Sequence, residues 1–111
     1  MDTRVTYPEI IKKILTDIAD SYSQGNEWPV RPLFDDERKS YLLLDNGWNG
    51  DKYVHHTPIH IDIINDKVWI QQDDSQEGVA TDLLEAGISK TAIVLGFRPP
   101  RVRPYTEFVA G

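Results

Sequence analysis

With 111 residues, 40% hydrophobic and 27% charged, the chain has an ordinary globular composition, long enough for one real core and too short for two independently stable domains. A formal charge of -6 repels phosphate on average, so nucleic-acid contact by the chain alone is not expected unless basic residues cluster. The lack of cysteine excludes disulfides, thiolate metal sites and thiol nucleophiles; with no leader-like start and no membrane-length apolar run, a cytoplasmic protein without membrane attachment is expected.

The first segment spaces Tyr7, Ile10, Ile11, Ile14, Leu15, Ile18, Ala19 and Tyr22 as one face of a helix, with Lys12, Lys13, Asp17 and Asp20 on the other. Thr6 and Glu9 read as a capping box, Pro8 falls in the first turn, and Gly25-Asn26 ends the helix. The period then changes to that of strands. Residues 30–34 form the first, closed by the acidic turn 35–38 and placed at an edge by Pro32. Residues 40–44 lead into a turn-rich stretch, Asn46-Gly47-Trp48-Asn49-Gly50, that reads as a bulge or a hairpin tip.

A third strand is expected over 52–64, where Ile59, Ile61 and Ile63 alternate with His60, Asp62 and Ile64, the pattern of a sheet buried on one face. After the tight turn Asn65-Asp66, the partner strand 67–72 directs Val68 and Ile70 inward and Trp69 and Gln71 outward. Asp74 or Ser75 is expected to cap a second helix with Val79, Ala80, Leu83, Leu84 and Ala86 as its apolar stripe and Gly87 as its stop. A short strand over 92–97 precedes Pro99-Pro100, and the irregular tail 101–111 is expected to be anchored by Tyr105 and Phe108. The elements define an α+β fold, a single domain over 1–111, in which two helices cover one face of a mainly antiparallel sheet of about four to five strands.

The residues offer little reactive chemistry. His56, His60 and Asp62 share a face if the third strand is regular. His60 and Asp62, about 7 Å apart along that face, can pair or share an ion, whereas His56 is about 13 Å away unless a bulge at Pro58 folds it back. A surface pair is the simpler reading. The acids of 35–37 and of Asp73, Asp74 and Glu77 read as solvated turn residues, the second group also favouring a helix N-terminus. No phosphate loop, nucleophile elbow or metalloprotease helix is present, so neither catalysis nor a cofactor is expected. Arg98, Arg101 and Arg103 form the basic cluster; guanidinium groups suit phosphate or an acidic protein surface, and next to Glu107 they also suit the chain's own carboxylates. Trp69 on the wet face of the sheet, with Trp48, is a candidate interface anchor unless a helix or the tail covers it. An exposed hairpin edge and an outward tryptophan are also compatible with self-association.

The runs Ile59-His60-Ile61-Asp62-Ile63 and Lys67-Val68-Trp69-Ile70-Gln71-Gln72-Asp73 resemble the XisI family of fdxN element excision controlling factors. Glu77-Gly78-Val79-Ala80, Leu83-Leu84, Gly87-Ile88, Ile93-Val94-Leu95-Gly96-Phe97, Pro99-Pro100, Arg103, Tyr105-Thr106-Glu107-Phe108 and Gly47-Trp48-Asn49 follow the same pattern in order. The resemblance implies an XisI-like fold. It also implies a role in filamentous cyanobacteria, where XisI and its companion XisH support recombinational excision of a DNA element during heterocyst differentiation. XisH resembles restriction nucleases, so the implied partner is a XisH-like protein that this chain binds without catalysing a reaction. The rival readings are an antitoxin-like inhibitor of a nuclease-like partner and a direct DNA-binding regulator using the Arg98 to Arg103 segment. Arg98 stands where the family often has histidine, so no role of that histidine transfers. The expected contact residues are Trp48, His60, Asp62, Trp69, Gln71, Arg98, Arg101, Arg103 and Tyr105.

Overall fold

The computed structural model describes residues 6–25, 27–75 and 78–111; Asn26 and Glu77, named above at a helix end and in an acidic group, lie outside them. Helix α1 spans Tyr7–Gly25. Its start follows the expected chemistry, since the Glu9 N–H donates to Thr6 Oγ1 at 3.4 Å. Ile11, Leu15 and Ala19 are buried, with Tyr7, Ile10, Ile14, Ile18 and Tyr22 packed beside them, so the whole predicted stripe faces the core.

The strands are β1 (Val30–Asp35), β2 (Ser40–Asn49), β3 (Lys52–His56), β4 (Ile59–Ile64), β5 (Lys67–Asp73) and β6 (Ile93–Leu95). They form one sheet in the order β1-β2-β4-β5-β6, with β3 also paired to β2. Neighbours are antiparallel except β6, which lies parallel to β5 after the chain crosses over through α2 (Val79–Glu85). The α+β class and the helix-covered face hold, while the sheet has one more strand than the upper expectation and is mixed.

The extra strand arises because residues 52–64 are not continuous. β2 runs through Asn46, Gly47 and Trp48 to Asn49, and the hairpin turns at Gly50 and Asp51. Asp45 then pairs with His56 on β3, but Leu42 pairs with His60 on β4. An unbroken ladder would set Leu42 against residue 59, so one additional residue is accommodated at Thr57-Pro58 and the side-chain alternation reverses there. Gly47 lies in the strand because the Trp28 indole covers it: a Cβ built there would fall 2.5 Å from Trp28 Cδ2.

The β4–β5 hairpin forms as expected, with Asn65 and Asp66 at φ 51° and 63°, the two left-handed positions of a two-residue turn matching strand twist. Tyr41, Leu43, Ile59, Ile61, Val68 and Ile70 all face the helices with no solvent exposure. Helix α2 is capped differently from expectation. Gly78 is its N-cap residue, and the Val79 N–H donates to Asp73 Oδ2 at 2.7 Å, so Asp73 does what was expected of Asp74 or Ser75. At the other end Gly87 adopts φ +101°; its N–H reaches the Leu84 carbonyl and the Ile88 N–H the Leu83 carbonyl, both at 3.0 Å, a Schellman closure sealed by buried Ile88 and Leu83.

β6 is shorter than the expected 92–97, because a 3₁₀ turn at Lys90–Ala92 precedes it and a turn follows at Gly96. The tail is held by Phe108, packed on the core, and by Val109, which bridges Val94. Tyr105 is no anchor, being 88% exposed. Among the described residues no helix is long and apolar enough to cross a membrane.

Candidate interaction surface

Because helices cover one face of the sheet, every outward side chain of β1 to β5 reaches the other. His60 and Asp62 lie there on β4, and the predicted pair exists: His60 Nε2 is 2.9 Å from Asp62 Oδ1, while Gln71 Nε2 donates to Asp62 Oδ2 at 3.3 Å. Three expected contact residues thus form one small polar network. It is partly buried, with both oxygens of the carboxylate engaged.

His56 does not join them. The reversal at Thr57-Pro58 turns it to the helix side, where Asp74 Oδ2 lies 2.5 Å from Nε2 and Asp45 Oδ2 3.6 Å from Nδ1. This corrects the expectation that His56, His60 and Asp62 share a face, and its cause is one inserted residue. His56, Asp45 and Asp74 line an open cleft with Ser21, Tyr22, Gly25 and Pro58 near the end of α1. Burial, followed by the fields of Asp73, Asp74 and Asp82, raises the Tyr22 pKa. His56 lies between two carboxylates on opposite sides of its ring, and among the described residues no three His, Cys, Asp or Glu side chains converge on a point where a metal could bind.

Trp69 points outward from β5 as expected, but it is only half exposed because the tail reaches it. The Arg103 guanidinium lies 5.1 Å from the indole ring, a cation–π distance, and Arg103 donates to the carbonyls of Arg98 at 3.0 Å and Gly96 at 3.3 Å. A Cβ on Gly111 would meet the same indole at 3.1 Å. Arg103 is therefore a clamp on the tail, and Trp69 its platform.

The other two arginines are placed differently. Arg98 lies 5.1 Å from the Phe97 ring, Arg101 is exposed, and among the described residues neither meets a carboxylate. Glu107, the expected partner of the cluster, pairs with Lys90 at 3.5 Å instead. Self-neutralisation was one of the two readings of this cluster, and the geometry does not provide it. Arg98, Arg101 and Tyr105 stand together on one exposed segment, next to the clamp and to the His60–Asp62–Gln71 network.

Trp48 is separated from this group by the width of the sheet. It lies near the tip of the β2–β3 hairpin, 64% exposed, with its ring 4.9 Å from that of Tyr53 directly across the ladder. Sequence reasoning missed Tyr53 as its neighbour. The signal was available only after the register was known, because a strand set at 46–49 pairs Trp48 with Tyr53, whereas a turn there does not.

Comparison with known proteins agrees with the fold. The family model described as XisI protein matches residues 1–110. Among solved structures, the chain is similar to a XisI-like protein from Anabaena variabilis, with 32% identity, a TM-score of 0.88, and coverage of 95% of this chain and 96% of that one. It is also similar to the fdxN element excision controlling factor XisI from Anabaena variabilis, with 32% identity, a TM-score of 0.75, and coverage of 94% and 98%. No curated protein matches.

Proposed function

This chain belongs to the XisI family, and we propose that it acts as a non-enzymatic accessory factor in excision of a DNA element, binding a XisH-like companion protein through its C-terminal segment and the adjoining sheet surface. One observation carries this reading: Arg98 and Arg101 are exposed and lack a carboxylate partner among the described residues of a chain with 18 acidic and 12 basic side chains. Unpaired surface guanidiniums in such an excess of carboxylate are free to form bidentate contacts with a partner's acids. Tyr105, 88% exposed beside them, adds a rigid amphipathic contact of the kind that dominates interface energetics.

In this reading Arg103 and Trp69 hold the segment in place, and His60, Asp62 and Gln71 present fixed polar groups at its border. The expected result is co-elution of the chain with a XisH-like companion on sizing. The double variant Arg98→Ala, Arg101→Ala should weaken the complex by tenfold or more, about 1.4 kcal/mol, while leaving the melting temperature unchanged. Separate elution at micromolar concentration would overturn it. The same two arginines also suit phosphate, so a DNA-binding regulator is the second reading. It requires a gel shift whose affinity falls steeply with salt, and absence of retardation at low salt removes it.

A further inference from the structure

The part of the sheet that the proposed partner site leaves unused is its β1–β3 half. There neither helix nor tail covers the outward side chains. Leu33 at 46%, Trp48 at 64% and Tyr53 at 48% are exposed, with Leu42 and Leu44 half-buried between Leu33 and the hairpin tip. Leu33, Trp48 and Tyr53 are three of the seven large hydrophobic residues that are exposed among the described residues, and the half-buried leucines extend the apolar surface along β2 from Leu33 toward the hairpin tip. The overall shape agrees. The described residues extend 44 × 40 × 26 Å with a radius of gyration of 14.8 Å. A compact chain of this length would have a radius of about 13 Å, so the molecule is a flat slab lacking a third layer over part of its sheet.

We propose that a second copy of this chain supplies that layer, the two β1–β3 faces packing against each other in a two-fold, face-to-face dimer. Charge favours this occupant. The carboxylates on the face are already engaged, Asp35 with Arg38 at 3.2 Å and Asp62 with His60 and Gln71, while Arg31 is tied to Asn46 Oδ1 at 2.9 Å. Most other acids belong to the helices, the turns and the His56 cleft. Two chains of charge -6 therefore meet on this face without opposing free carboxylates, and it presents itself equally to both partners as a two-fold contact requires.

Area favours it as well. Half of the molecule's 44 by 40 Å outline, an upper bound for this face, is on the order of 900 Å², which leaves room for a stable interface of about 800 Å² per partner.

The β1 edge of the sheet is a competing route to self-association, and it is blunted at Val30 and Pro32. The N–H and carbonyl of Val30 both bond to Ser23 Oγ, at 3.0 and 3.3 Å, so the backbone groups of Val30, and by alternation those of Pro32, point away from β2. Pro32 then places a position without an N–H on the open edge, which blunts pairing with another strand. Meanwhile the Asn46 amide donates to the Tyr53 hydroxyl at 3.3 Å, so the rings on the face are positioned before any contact forms.

The test is sedimentation velocity of the pure full chain from about 1 to about 100 µM, the range in which an interface of this size is populated. A species of twice 12.7 kDa is expected. Trp48→Glu, or Leu33→Glu if that variant folds poorly, should return it to 12.7 kDa with an unchanged far-ultraviolet spectrum, whereas Tyr105→Glu on the tail should leave the dimer intact. A chain that stays monomeric at the highest concentration, or a dimer that survives both face substitutions, overturns the proposal. The outcome is independent of the companion: a dimer that fails to bind a XisH-like protein would sink the proposed function and leave this inference standing.

Discussion

The two faces of the sheet are built from alternate residues of the same strands and have opposite properties. Toward the helices, Tyr41, Leu43, Ile59, Ile61, Val68 and Ile70 have no contact with solvent. On the other side, His60, Asp62, Trp69 and Gln71 make polar and cation–π contacts, and Trp48 and Tyr53 stand in water. A side-chain period of two lets six-residue strands serve both duties. Stability is thereby concentrated on one face, which leaves the other free to vary its chemistry.

The comparison breaks most readily at Ile61. Ile61→Ala should cost about 2–5 kcal/mol in urea unfolding, the lost methyl groups plus a cavity in the core, and a cost below about 1 kcal/mol would mean that this face is not the stabilising one. Tyr41→Phe gives the next largest effect, and a pH-dependent one. Burial and the hydrogen bond to Asp36 raise the Tyr41 pKa from 10.0 to about 12. The folded state thus keeps a proton that the unfolded state loses, so its contribution is complete below pH 10 and disappears as the pH rises to about 12. Over that window the wild type should lose about 1–2 kcal/mol more than the Phe variant, less than the full shift implies because water screens the exposed Asp36 carboxylate, as read from melting curves at a series of alkaline pH values.

Asp73→Ala removes the carboxylate that receives the Val79 N–H and should cost about 1 kcal/mol, with protection of the α2 amides against hydrogen exchange falling first. Trp48→Ser on the open face should change the stability of the dilute monomer by less than about 0.5 kcal/mol in the same urea assay. A larger loss would show that this ring supports the fold and is not held in reserve for contact.

Much of the architecture was legible because it follows from local period. The stripe of α1, the alternation of Ile59, Ile61 and Ile63, and the left-handed turn at Asn65-Asp66 each require only neighbours along the chain. The misreadings occurred where a distant residue decided the outcome. Gly47 suggests a turn until Trp28 is seen lying over it. Asp73 caps α2 across six residues, beyond the reach of the usual three-residue capping pattern. The arginine cluster suggested balance with Glu107, but Lys90 takes that carboxylate. At the candidate site, the His60–Asp62 pair could be anticipated from spacing, whereas the clamp of Arg103 on Trp69 could not.

By itself the amino-acid order determined the two helices, the buried face of the sheet and its central hairpin, because apolar periodicity and turn chemistry act over a few residues. Only the tertiary structure decided which face His56 occupies, which tryptophan is covered and which arginines lack a counter-charge. These depend on one inserted residue in a ladder and on where the tail returns, and side-chain direction and charge pairing are properties of register and proximity, not of local sequence.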